Sequence, residues 1–162
     1  MGNKQFFYVS FFALILIFGC KSKTELYLER GLDILSNVKK IDFNLYQGVT
    51  INEVGVIRDQ KEETKTLVFK LDSDSDLRAF ENDNIIGIRV WIVDNNNNKR
   101  KEDWDLKPKL IQSGDYKYII KEINVKEDRI KKMKIYAYQL KNGEKRKIGS
   151  SILLQKIYTY ND

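Results

Sequence analysis

The sequence predicts a mainly β fold, an antiparallel β-sandwich (immunoglobulin-like or similar) with one N-terminal helix. Three observations carry this. From Ile41 onward, apolar and polar residues alternate with period two. Turn-forming residues recur about every ten positions, a spacing that favours a sandwich or barrel over βαβ units. The pass along the chain yields roughly seven or eight short strands; with one cysteine no disulfide can form within the chain, so packing alone must hold the fold.

The chain begins "MGNK" and continues "QFFYVSFFALILIFG" without a charge. A positive start, an apolar run and a small residue before the break describe a secretory signal. The run from Phe6 to Phe18 is short for a membrane-spanning helix, which needs roughly 20 residues. The initial "MG" does not read as a myristoylation site, because Phe6 stands where that pattern wants Ser or Thr.

The break itself, Leu16-Ile17-Phe18-Gly19-Cys20, resembles the lipobox of bacterial lipoproteins. In that family a small residue precedes the cysteine and an aliphatic one lies two positions earlier. Ile17, Gly19 and Cys20 fit, while Phe18 is bulkier than the usual occupant. The resemblance implies cleavage between Gly19 and Cys20, acylation of the Cys20 sulfur, and attachment to a lipid bilayer through those chains. Each buried methylene contributes about 0.8 kcal/mol, so two or three chains anchor stably where one would not. The other reading is an ordinary signal peptide or anchor helix with an incidental cysteine.

The expected organisation is a signal peptide over 1–19, a lipidated tether over 20–24, and a single β-rich domain with its helix over 25–162. Lys21 and Lys23 in the tether would face anionic headgroups, each contributing about 1 kcal/mol there. In lipoproteins an acidic residue after the cysteine can retain the protein on the inner membrane. Lys21 is not acidic, so the resemblance implies a cell-envelope location, on the outer membrane where there is one.

In the mature chain, Thr24 is placed to cap a helix over "ELYLERGLDILSNVKK", with Leu28, Leu32 and Leu35 on one stripe and Lys39 and Lys40 in its last turn. "IDFNLY" alternates Ile41, Phe43 and Leu45 against polar positions. "VTINEVGVI" and "TLVFKL" then form a hairpin around "RDQKEE". "DSDSDLRAFENDN" holds one helical turn capped by Ser73 or Ser75. "IIGIRVWIV" is the most apolar segment and is expected as a central strand, with Trp91 in the core. "DNNNNKRKEDWD" reads as a loop. "YKYIIKEI" and "KKMKIYAYQL" are strands, and Asn142-Gly143 is the strongest hairpin signal in the chain. "KIGSSILLQKIYTY" closes the sheet.

Composition narrows the chemistry. The chain of 162 residues carries 29 Lys+Arg against 23 Asp+Glu, a net charge of +6, and has no histidine. Without histidine there is no Ser-His-Asp or Cys-His machinery and no histidine-bearing zinc site. The positive excess favours anionic neighbours; because it is spread along the chain, a nucleic-acid partner is not expected.

Two acidic stretches place oxygens at spacings loosely like those of a calcium loop. In the first, Asp94, Asn96, Asn98, Glu102 and Asp105 fit, but Lys99 stands at the glycine position and Arg100 and Lys101 add repulsion. In the second, Asp72, Asp74, Asp76, Glu81 and Asp83 have Leu77 at the turn. Both read as solvated turns, and neither a metal nor a cofactor is expected. Many carboxylates could pair across a cleft as in a hydrolase, and nothing singles one pair out.

For partner binding, strand alternation puts Lys132, Lys134, Tyr136 and Tyr138 on the face opposite Met133, Ile135 and Ala137. Tyrosines between lysines suit an anionic glycan or an acidic envelope protein. Alternatively, the rings cover neighbouring strands and the lysines are solvated. Trp104, between Asp103 and Asp105, either stacks on a sugar ring or folds over the end of the sandwich. The expected role is a non-catalytic binding module. A structural subunit of an envelope complex and a small carboxylate hydrolase are the alternatives.

Overall fold

The computed structural model describes residues 23–29, 32, 38–58, 65–81, 86–103, 109–123 and 129–158. The expected signal peptide, with Gly19 and Cys20, lies outside the described residues, and so does Trp104.

Among the described residues, the short helix α1 (Lys23–Glu29) is followed by nine strands and one helical turn, α2 (Arg78–Glu81), which lies between the third and fourth strands. The strands are β1 (Lys39–Tyr46), β2 (Val49–Arg58), β3 (Lys65–Leu71), β4 (Ile86–Asp94), β5 (Lys99–Asp103), β6 (Lys109–Ser113), β7 (Tyr116–Ile123), β8 (Arg129–Lys141) and β9 (Glu144–Tyr158). They form a five-stranded sheet, β1-β2-β3-β7-β6, and a four-stranded sheet, β5-β4-β8-β9. Every ladder is antiparallel.

The inner faces meet in one core. Phe43, Leu45, Ile51, Val54, Val56, Leu67, Phe69 and Ile119 come from the first sheet, and Ile88, Val90, Ile92, Met133, Ile135, Ala137 and Leu154 from the second. Their period-two spacing produces this division, since alternate side chains of a strand leave opposite faces. Phe80 of α2 is buried in the same cluster. The predicted class holds. The strand order is not that of the immunoglobulin fold, which separates its second and third strands between sheets; here β1, β2 and β3 run as a meander in one sheet.

A second, smaller core lies on the outer face of the five-stranded sheet, where Leu28 and Leu32 pack on Ile57, Val68 and Tyr118. The Tyr118 hydroxyl donates to the Leu28 carbonyl at 2.8 Å, giving α1 a buried polar attachment. The described helix is shorter than the expected one. Leu32 has a left-handed backbone (φ 64°) and donates its N–H to the Tyr27 carbonyl, a helix-ending bond. Lys39 and Lys40 are in β1, not in a last helical turn.

Three other expectations are corrected. The cap of α2 is Asp76, whose carboxylate accepts the Arg78 N–H at 3.0 Å, rather than Ser73 or Ser75. Ser75 instead exchanges two hydrogen bonds with the Thr50 backbone, pinning this segment to β2. The long Asn-rich loop is only a turn at Asp94–Asn98; Lys99–Asp103 is the edge strand β5. Charged edge strands are a common defence against unwanted pairing, which is why the segment carries no apolar alternation. Strand β6, with Leu110 and Ile111 after Pro108, was not foreseen at all.

Asn142-Gly143 forms the expected hairpin turn, with φ of 53° and 77° matching a type I′ turn. Further along, from Ile135 to Ala137 β8 advances two residues while β9 spends four, from Ile148 to Ile152. Gly149 sits in this bulge at φ 62°, and a Cβ there would stand 3.2 Å from the Leu45 carbonyl. The missing side chain lets β9 approach β1 closely, joining the two sheets along one side.

Candidate functional site: the outer face of the four-stranded sheet

The outer face of the five-stranded sheet is partly covered by α1. The outer face of the four-stranded sheet carries the exposed large apolar residues, Trp91 at 39% and Leu153 at 53% exposure. Trp91 is therefore not in the core as expected. It belongs to the other half of β4: Ile88, Val90 and Ile92 face inward, so Gly87, Arg89, Trp91 and Val93 face outward. In so apolar a strand, alternation was too faint to assign the tryptophan to a face.

The register builds the face across the strands. Trp91 pairs with Lys101 of β5 on one side and Lys134 of β8 on the other; Lys134 in turn pairs with Leu153 of β9. Val93 pairs with Lys99 and Lys132. Lys99, Lys101, Lys132 and Lys134 are all exposed. They stand around Trp91 and Val93 as a frame about 7 Å along the strands and roughly 10 Å across them, from the rise and spacing of a sheet. Arg89 and Lys147 extend the positive charge toward the Asn142 end. In the β4–β5 register Arg89 is paired with Asp103.

Lys132, Lys134, Tyr136 and Tyr138 do share the face opposite Met133, Ile135 and Ala137. Only the lysines are open to solvent. Tyr136 is 9% exposed and Tyr138 fully buried, so the tyrosines do not form the contact surface expected of them. The Tyr138 ring lies where a Gly87 side chain would stand. Arg89 and Lys145 lie over that ring, 5.3 and 5.0 Å from its centroid. The Tyr136 hydroxyl accepts a hydrogen bond from Trp91 Nε1 at 3.2 Å. Thus the tyrosines support and orient, while the indole and the lysines are presented.

The acidic stretches are built into turns. Both Asp94 oxygens accept from Asn98, one from its backbone N–H and one from its side-chain amide, each at 2.9 Å. Burial pushes the Asp94 carboxyl up, but these bonds, the Asn96 backbone and nearby Arg100 outweigh it and the net shift is down. Asp72 is lowered by hydrogen bonds from Asn52 and the Asp74 N–H. Asp76 is lowered to about 2, chiefly by its hydrogen bonds with the Arg78 side chain and backbone. Lys117 crosses over to donate to the carbonyls of Ser73 and Ser75. Among the described residues, no three acidic, cysteine or histidine side chains gather as a metal-holding group.

The buried Glu53 is paired with Lys70 at 3.5 Å, beside α1 on the other sheet. The Lys70 ammonium lies 4.3 Å from the Tyr116 ring centroid. Both charged side chains are largely buried.

Compared with known protein families, curated proteins and solved structures, the chain matches none.

Proposed function

We propose that this protein is a lipid-anchored lipoprotein of the bacterial cell envelope that binds an anionic partner on the outer face of its four-stranded sheet, without catalysis. The observation that carries the binding part is the frame of four exposed lysines around a held, exposed Trp91. The lipobox-like sequence ending at Cys20 carries the anchoring part. The two fit together. Cys20 precedes Lys23 by three residues, a reach of at most about 11 Å. Helix α1 packs on the outer face of the five-stranded sheet, opposite the basic face, and an anchor so close to the helix is compatible with a basic face turned away from the bilayer. The absence of histidine favours binding over hydrolysis.

Two measurements test this. Wild-type protein should incorporate labelled palmitate and resist release by salt washing, and Cys20→Ala should lose the label and stay uncleaved. Palmitate on the Cys20→Ala protein, or release of wild type by salt, overturns the anchor. Crosslinking in native membranes should give salt-sensitive adducts that a variant with Lys99, Lys101, Lys132 and Lys134 changed to Gln lacks. Equal adducts from that variant overturn the binding face.

A further inference from the structure

We infer that the partner of this face is an acidic polysaccharide, with one sugar ring stacked on Trp91 and neighbouring carboxylates reaching Lys99, Lys101, Lys132 and Lys134. The inference rests on the binding face proposed above and names its occupant. Charge complementarity is the first argument: the residues that the register pairs with Trp91 and Val93 are Lys101, Lys134, Lys99 and Lys132, all exposed.

The state of the indole is the second. Its single N–H is already given to Tyr136, so what Trp91 offers is ring surface, held in one orientation. Such a surface suits the C–H face of a sugar.

The spacing of the apolar groups separates a glycan from a protein. Trp91 and Leu153 do not form one apolar patch, because Lys134 stands between them. Protein interfaces are depleted of charge at their centres, and of lysine in particular. A protein docked here would strip Lys134 of water, whereas a hydrated polysaccharide would not. Lysine is a mobile, strongly hydrated point charge, which fits repeated carboxylates better than a fixed bidentate geometry. Single-stranded nucleic acid is disfavoured by the rings themselves. Successive bases need successive exposed aromatics, and beside Trp91 the tyrosines of this face are buried.

The full chain in detergent should be titrated calorimetrically with polygalacturonate. Neutral dextran, polyglutamate and a single-stranded oligonucleotide serve as comparators. Polygalacturonate should bind, weaken steeply with added salt, and outcompete polyglutamate and the oligonucleotide; dextran should not bind. Trp91→Ala should weaken binding about tenfold, the scale of one aromatic stack, while Trp91→Phe keeps most of the affinity. Lys132→Gln with Lys134→Gln should abolish it. If Trp91→Ala lowers the melting temperature, Trp91→Leu, which keeps bulk without a π face, carries the same expectation. Equal binding of polyglutamate or the oligonucleotide, with no effect at Trp91, overturns the polysaccharide and leaves the basic face standing. Undiminished binding by the lysine variant, or no binding of any polyanion, overturns both.

Discussion

The ring of Tyr138 occupies the space that Gly87 leaves empty on the neighbouring strand, and a Cβ at Gly87 would collide with it. Glycine weakens a strand interior, and an aromatic side chain laid across it restores the lost packing. Tyr138 is thus a structural residue on an outward face. Tyr138→Ser should cost about 3 kcal/mol, as for other buried aromatic truncations. Gly87→Ala should cost about 1–3 kcal/mol by overpacking. Thermal melts check both, and a Tyr138→Ser protein with wild-type melting temperature would refute the assignment.

Tyr118 ties α1 to the sheet through the Leu28 carbonyl. Tyr118→Phe keeps the ring and deletes the donor. It should cost about 1 kcal/mol, the net worth of a hydrogen bond, or somewhat more with the carbonyl left buried. Amide exchange should speed up in α1 but not in β4 or β8. Uniform acceleration would mean that the helix is not a separable attachment.

Asp72, Asp76 and Asp94 all have carboxyls lowered in the folded state, Asp76 to about 2. A depressed folded value means that the stabilisation is fully present above the unfolded carboxylate range, near 3.9. It is lost as pH falls through the folded value. Stability should therefore decline between about pH 4 and pH 2. Asp76→Asn should flatten part of that decline. Denaturant melts across this range read the slope, and an unchanged slope in the variant would remove Asp76 from the account.

Calcium should leave the protein unaffected, because Asp94 spends both oxygens on Asn98. Binding at 100 times the dissociation constant would add about 2.7 kcal/mol. A rise of several degrees in melting temperature with millimolar Ca²⁺ would show that the Asn98 bonds yield to a metal.

The sandwich was legible wherever one side of a strand is wet. Phe43 and Leu45, or Met133, Ile135 and Ala137, announce their inner face by alternation alone. Asn142-Gly143 announces its turn because positive φ at two adjacent positions is something few residue pairs accept. The proposed binding face was half legible. Lys132 and Lys134 were placed correctly, but nothing local tells that Tyr138 is paired with a glycine or that Trp91 faces out. Both facts depend on which strands become neighbours. Likewise Lys99 and Lys101 looked like loop residues until β5 paired with β4, and that pairing turns a charge spread along the chain into a charged surface.

The close approach of Gly149 to Leu45 has a consequence for self-assembly. A sandwich has four edge strands, and each exposed edge invites a strand from another molecule. Here β1 and β9, the longer ones, approach each other at Leu45 and Gly149. The remaining edges, β5 and β6, are five residues each, and both begin with exposed lysines, Lys99 and Lys109. Edge-to-edge contact there would have to take these ammonium groups out of water. Held by lipid in a plane, as proposed for this protein, copies could thus crowd together without fusing their sheets.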